Sequence, residues 1–168
     1  EFQLPDEALI FAEIAPRSEH LKRLRLADVF LDTPAYNAHT VGCDALDAGV
    51  PMISLLLSEM STEDPVNEFE EVIRTDKMAS RVGASLLKAV GLDILIAPDL
   101  KSYEEIMVRC AVENDWFQSL RANLTDHMDD CPLFDTERWV RNMEVGLLKA
   151  IIEGANGTED IYILDKNK

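Results

Sequence analysis

Val29-Phe30-Leu31-Asp32-Thr33-Pro34-Ala35-Tyr36-Asn37-Ala38-His39-Thr40, continuing through Val41-Gly42-Cys43-Asp44-Ala45-Leu46-Asp47-Ala48 to Gly49, reads as a strand, a loop and a helix in succession. The short apolar run Val29-Phe30-Leu31 fits a buried strand. Asp32-Thr33-Pro34 is a turn signal, because proline presets φ and aspartate bonds its own backbone. Residues 40–48 have helical period, and Gly49 is a suitable C-terminal stop. A strand feeding a helix through a polar loop is the repeating unit of open α/β sheets, which bind ligands outside the carboxyl ends of their strands.

Outward from this unit the alternation continues. Residues 8–14 form an apolar run between Pro5 and Pro16 and predict a buried strand. A helix over residues 19–26 follows, with Ser18 as its expected N-cap. Residues 50–57 predict a third strand. Residues 78–90 predict an amphipathic helix capped by Thr75 or Asp76 and ended by Gly91. Ile94-Leu95-Ile96 predicts a fourth strand, closed by Pro98. Beyond it the periods at 102–114, 115–128 and 135–153 are helical. The expected fold class is therefore α/β, a parallel sheet flanked by helices. Residues 4–100 form the Rossmann-like half, 101–154 the closing C-terminal helices and 155–168 a polar tail. Residues 58–74, rich in glutamate and aspartate, are expected to be a solvated loop.

Composition narrows the partners. The 168 residues carry a formal net charge of -16, which excludes nucleic acid and anionic membrane as main partners, because both require a basic surface. A small anion in a local pocket remains compatible with it. The cysteines, Cys43, Cys110 and Cys131, are few and odd in number, and no Cys-x-x-Cys pair occurs. That usage predicts reduced thiols and a cytoplasmic or nuclear setting, in which the sequons at Asn123 and Asn156 have no meaning. No apolar run approaches the ~20 residues of a membrane span. No signal peptide is evident, and the abrupt opening at Glu1-Phe2-Gln3 suggests a piece of a longer protein.

The candidate chemistry gathers at the start of the residue 40–48 helix. A helix N-terminus offers unspent N–H groups and the positive end of a dipole, which suits phosphate. His39 and Thr40 add side-chain donors there. Asp44 lies one turn on, placed to accept hydrogen bonds from ribose hydroxyls. The plain alternative leaves Thr40 as a cap, His39 as a packing residue and Asp44 as a solvated acid. His20 and Arg23 share a face of the preceding helix, with Arg17 just before it. They fit either base recognition or a solvated basic face. Arg81 can reach the same edge or pair with an acid. Trp116 and Trp139 are expected as core anchors, and Cys43 as a packing thiol with no base placed to activate it. No Gly-x-Ser-x-Gly, His-Glu-x-x-His or Walker signature is present.

Several ordered blocks resemble the catalytic region of O-GlcNAc transferases, in their plant-type and protist-type members most closely. They are Pro16 onward to Arg23, Leu26 through Pro34, Asn37-Ala38-His39-Thr40, Asp44 through Met52, Met78-Ala79-Ser80-Arg81-Val82, Cys131-Pro132-Leu133-Phe134-Asp135-Thr136, and Arg138-Trp139-Val140-Arg141-Asn142. The resemblance covers residues 4–154. It implies a GT-B fold, of which this chain is most of the C-terminal, donor-binding lobe and therefore an incomplete domain. It implies UDP-GlcNAc as donor, metal-independent transfer of GlcNAc to Ser and Thr hydroxyls of intracellular proteins, and no cofactor.

By the same resemblance His39 and Thr40 match the residues that hold the diphosphate and stabilise its departure. Asp44 matches the ribose-binding acid, and His20 and Arg23 the pair that contacts uracil. Arg17 stands where a lysine is usual. Val41 replaces a customary second threonine, Asp47 a customary tryptophan, and residues 58–74 are inserted in a connection that is short in most members. The partner lobe and a TPR array are expected upstream, so the isolated chain is expected to lack transferase activity. Two alternatives stand beside this reading: a GDP-fucose-using O-fucosyltransferase of the related branch, and a non-catalytic lobe that binds nucleotide or protein.

Overall fold

A computed structural model describes residues 5–57 and 77–154. Its centre is a three-stranded sheet in the order β1 (Phe30–Leu31), β2 (Met52–Leu55), β3 (Ile96–Ala97). Both pairings are parallel, with Phe30 opposite Met52, Leu31 opposite Ile53, Ser54 opposite Ile96 and Leu55 opposite Ala97. The central strand β2 is buried along its whole length. This explains why its sequence is a continuous apolar run instead of an alternating one.

Helices α1 (Arg17–Leu24), α2 (Thr40–Asp47) and α3 (Val82–Ala89) connect or flank these strands. Three more, α4 (Leu100–Val112), α5 (Asn114–Asp126) and α6 (Thr136–Gly154), follow the sheet. The α/β class and the run of closing helices are as the sequence leads one to expect. The core joins Leu46 of α2, Met52 and Ile53 of β2, and Leu87 of α3 to Leu92 and Leu95. Phe117 and Leu124 of α5 close it from one side. Gly49 and Gly91 adopt φ of 75° and 72° just past α2 and α3, a conformation that favours glycine and ends both helices.

Several local expectations need correction. Residues 8–14 do not form a strand, and Ile10, Phe11 and Ile14 are almost fully exposed. An apolar run signals a need for burial but supplies no partner. Among the described residues the three strands pair only with one another. Pro16, not Ser18, is the N-cap of α1; its φ of −54° is the value the ring imposes and suits a helix entry. The helix expected over 78–90 is divided, with a 3₁₀ turn at Met78–Ser80 and α3 beginning only after Arg81. The fourth strand is displaced towards the C-terminus: Asp93–Leu95 is a 3₁₀ turn and β3 begins at Ile96.

Trp116 packs against the core as expected, with the Arg109 guanidinium 3.9 Å above its ring. Trp139 is 63 % exposed on α6, on the same helical face as the exposed Met143 and Leu147. The helical period put Trp139 on an apolar face, but no described element covers that face. The acidic stretch 58–74, the caps Thr75 and Asp76, and the tail 155–168 lie outside the described residues.

Leu87 is fully buried between α3 and β2, whereas Val112 at the end of α4 is 71 % exposed. Urea unfolding of the 168-residue chain should show Leu87→Ala losing about 2–5 kcal/mol. Val112→Ala should stay within about 0.5 kcal/mol of wild type.

Candidate functional site

The loop between β1 and α2 is held by two buried polar side chains. Asp32, 2 % exposed, leaves the end of β1. Its Oδ1 accepts the Ala38 N–H at 2.7 Å and its Oδ2 accepts the Ser54 hydroxyl of β2 at 2.7 Å. Its backbone carbonyl accepts the Tyr103 hydroxyl of α4 at 2.9 Å. Asn37, 1 % exposed, closes the other end. Its Nδ2 donates to the Thr33 carbonyl at 3.0 Å, its Oδ1 accepts the Gly83 N–H at 2.9 Å, and its own N–H donates to the Ala79 carbonyl at 2.8 Å. Every polar group of the two side chains that needs a partner in the interior therefore has one.

The approach of α3 is close. A Cβ on Gly83 would run into Asp32 Oδ2 and Ser54 Oγ, so this contact uses the missing side chain. Burial raises the Asp32 pKa above 3.8, against the opposing pull of its bonds to Ala38, Ser54 and Thr33 and of nearby His39. Burial, together with the Asp32 charge, pushes Tyr103 up to about 12, so its hydroxyl keeps its proton and remains a donor.

This scaffold presents the start of α2. His39 occupies the N-cap position, but its side chain makes no capping bond. The first helical bond back to this end is Cys43 N–H to the His39 carbonyl, 3.1 Å. The amides of Thr40, Val41 and Gly42 therefore have no partner within the helix. His39 Nε2 is buried and has no hydrogen-bond partner among the described residues. Its ring lies parallel to that of Tyr36, with centroids 5.1 Å apart and 12° between planes.

A cavity of about 600 Å³ opens here, lined by Arg17, His39, Thr40, Cys43, Asp44, Asp47, Val82, Leu86 and Phe134. Its size is that of a small-molecule site. Arg17 reaches across from the start of α1 and holds Asp44 in a fork, with Nη2 to Oδ1 at 2.7 Å and Nη1 to Oδ2 at 3.3 Å. The Asp44 side chain is 9 % exposed and that of Arg17 66 %. The lining thus has donors at one end, from the helix start, His39 and Thr40. At the other end it has carboxylates, Asp44 and Asp47.

Four of the six residues expected at the site, Arg17, His39, Thr40 and Asp44, line this one cavity. His20 and Arg23 stand on α1 outside its lining; Arg23 Nη1 donates to the Glu13 carbonyl at 3.0 Å. Arg81 lines a separate cavity with Leu56, Ser85 and Lys88. Cys43 is half-buried against the core, and burial, then the Asp44 charge, raises its thiol pKa, as befits a packing cysteine. Sequence reasoning missed Tyr36, Ser54, Gly83 and Phe134. Phe134 arrives from beyond α5, a long-range placement that no local pattern announces. Ser54 could have been suspected as a lone hydroxyl in an otherwise apolar strand.

The profile of glycosyl transferase family 41 matches residues 1–143. The chain belongs to glycosyl transferase family 41. It is 43 % identical over 146 residues to the probable UDP-N-acetylglucosamine–peptide N-acetylglucosaminyltransferase SEC of Arabidopsis thaliana, covering 86 % of this chain and 13 % of that protein. It is 33 % identical over 141 residues to the UDP-N-acetylglucosamine–peptide N-acetylglucosaminyltransferase of Caenorhabditis elegans, covering 84 % of this chain and 11 % of that protein. Among solved structures it superposes on the K341M mutant of the Thermobaculum terrenum O-GlcNAc transferase. The TM-score is 0.55 at 27 % identity, covering 69 % of this chain and 19 % of the other. The chain therefore spans only about an eighth of the curated relatives' length. These family 41 relatives agree with the GlcNAc reading and not with the fucosyl alternative.

The buried carboxylate of Asp32 gives a test of how this family 41 loop is held. Asp32→Ala leaves the Ala38 amide and Ser54 hydroxyl without their acceptor and should cost about 2–4 kcal/mol. Asp32→Asn retains an acceptor and removes the buried charge. Because the folded pKa is raised, the contribution of Asp32 is fully present below 3.8 and is lost as pH rises through the folded value. Chemical denaturation across this range should show wild type losing stability relative to Asp32→Asn as pH rises, then a constant difference.

Proposed function

We propose that this chain is the donor-binding lobe of a protein O-GlcNAc transferase, and that the cavity at the start of α2 takes the nucleoside diphosphate part of UDP-GlcNAc. The observation that carries the reading is the polarity of the cavity. Unspent helix amides, His39 and Thr40 form a donor end, and the Asp44 carboxylate lies one turn further along the same helix. A nucleoside diphosphate has the matching order, with phosphate acceptors next to ribose hydroxyl donors. Arg17 does not make the cavity a general anion trap, because its charge is already matched by Asp44 at 2.7 Å. The helix terminus and His39 supply the attraction for phosphate.

In this reading the chemistry is transfer of GlcNAc to Ser and Thr hydroxyls of acceptor proteins by the whole protein. Negative charge grows on the β-phosphate as the sugar leaves. The Thr40, Val41 and Gly42 amides, the Thr40 hydroxyl and the His39 imidazole face that charge from fixed positions. Such preorganised donors stabilise a leaving group without reorganising as the reaction proceeds. His20 and Arg23 are proposed as the base-contacting pair, reached by the nucleobase beyond the Arg17–Asp44 bridge. The partner lobe and the acceptor-selecting segment are assigned to the remainder of the protein, so the 168-residue chain alone should not turn over donor. The three unpaired thiols fit a cytoplasmic or nuclear setting.

Calorimetric titration of the full-length protein should show UDP binding in preference to GDP. His39→Ala and Thr40→Ala should each weaken UDP binding by about tenfold. Equal affinity for GDP, or wild-type UDP affinity in both variants, would remove the reading.

A further inference from the structure

The Tyr36–His39 stack is not part of the donor-site reading above. Tyr36 lies in the loop, its backbone fixed on both sides. The Thr33 hydroxyl donates to its carbonyl at 2.6 Å, and the next residue, Asn37, is locked to Ala79, Thr33 and Gly83. Tyr36 is 65 % exposed and absent from the cavity lining, so neither burial nor a place in the cavity accounts for it. Its defined contact is the parallel face of His39 at 5.1 Å. On the other side of that contact, His39 makes no capping bond, and its Nε2 is buried without a partner. Among the described residues no hydrogen bond at Nε2 or across the helix start fixes the plane of this imidazole, and the ring it lies against is that of Tyr36.

We propose that Tyr36 is a positioning residue: its ring fixes the plane of the His39 imidazole, so that Nε2 is aimed before the diphosphate arrives. The proposal rests on the donor-site reading, because it gives His39 its ligand. Two rings held parallel resist rotation about the second side-chain torsion of histidine, which is otherwise broad. A ligand that needs one ring orientation then binds without first freezing it. The contact requires an aromatic face and not the phenol, so phenylalanine should serve and a branched aliphatic chain of similar size should not.

The test is a double-mutant cycle on UDP affinity in the full-length protein, using Tyr36→Phe, Tyr36→Leu, His39→Ala and the pair Tyr36→Leu/His39→Ala. Tyr36→Phe should bind UDP within about twofold of wild type. Tyr36→Leu should lose roughly threefold to tenfold, the range of an aromatic pair. In the His39→Ala background the further change Tyr36→Leu should have no effect. If Tyr36→Leu weakens binding equally in both backgrounds, Tyr36 acts on the ligand directly or through the fold, and the proposal is overturned. It is also overturned if His39→Ala weakens binding while Tyr36→Leu does not. If His39→Ala itself binds UDP like wild type, this inference is overturned, and the donor-site reading falls with it only if Thr40→Ala also keeps wild-type affinity.

Discussion

The Asp32 carboxylate is buried at the end of β1, accepts from the Ala38 amide and the Ser54 hydroxyl, and lies beneath the glycine that lets α3 approach. That arrangement connects the sheet, the loop and α3 at one point. Without an acceptor at this position the amide that precedes His39 has no fixed place, and the first turn of α2 loses its registration against β2. Asn37, five residues after Asp32, repeats the device, bonding Thr33, Ala79 and Gly83 at once. Two side chains thus convert a loop of eight residues into a rigid bracket. A binding site at a helix start depends on such a bracket, because the dipole and free amides have value only when their direction is fixed.

The bracket also explains how a chain of net charge -16 can present the donor-rich cavity proposed here to take a diphosphate. Long-range repulsion from surface carboxylates is screened over roughly 8–10 Å at ordinary salt. The fields that matter at the cavity come from groups within a few ångströms. There, Arg17 offsets Asp44, and the backbone of α2 directs its positive end at the opening. The fork between Arg17 and Asp44 needs a guanidinium; a lysine in that place can form only a point contact. A carboxylate held at both oxygens by one guanidinium keeps its orientation.

Much of the site was legible in the sequence, for a definite reason. Strand, turn and helix follow one another within residues 29–49, so the order of His39, Thr40 and Asp44 along the helix start could be read from local periodicity and from Gly49. Arg17 was legible by the rule that helix starts gather at one edge of a parallel sheet. Tyr36, Ser54 and Phe134 were not. The roles of Ser54 and Phe134 arise from contacts between elements far apart in sequence, Ser54 lying 22 residues from Asp32, and that of Tyr36 from a ring contact within the loop that no periodicity announces. Residues 8–14 mislead for the opposite reason. Their pattern states correctly that they are apolar, but pairing is a property of two segments, and the strands described here leave them none. Trp139 is the same case on a helix.

The departures from the family pattern acquire a physical sense once the cavity is drawn. Val41 is 42 % exposed, so the lost hydroxyl would have faced solvent or ligand and leaves no buried polar group behind. Its amide remains one of the three unspent donors. Asp47 stands where a tryptophan is customary and lines the same cavity as Asp44 and Phe134. An indole would add apolar wall and exclude water; a carboxylate about two turns beyond the donors adds a second acceptor beside Asp44. Asp47 is exposed, so its negative charge remains hydrated and does not cancel the attraction at Thr40. Phe134 supplies apolar lining to the same cavity. If the cavity takes the proposed donor, this lining favours ligands that bring hydroxyl donors next to phosphate. A bare diphosphate would satisfy the donors of α2 and leave Asp44 and Asp47 without the partners they select.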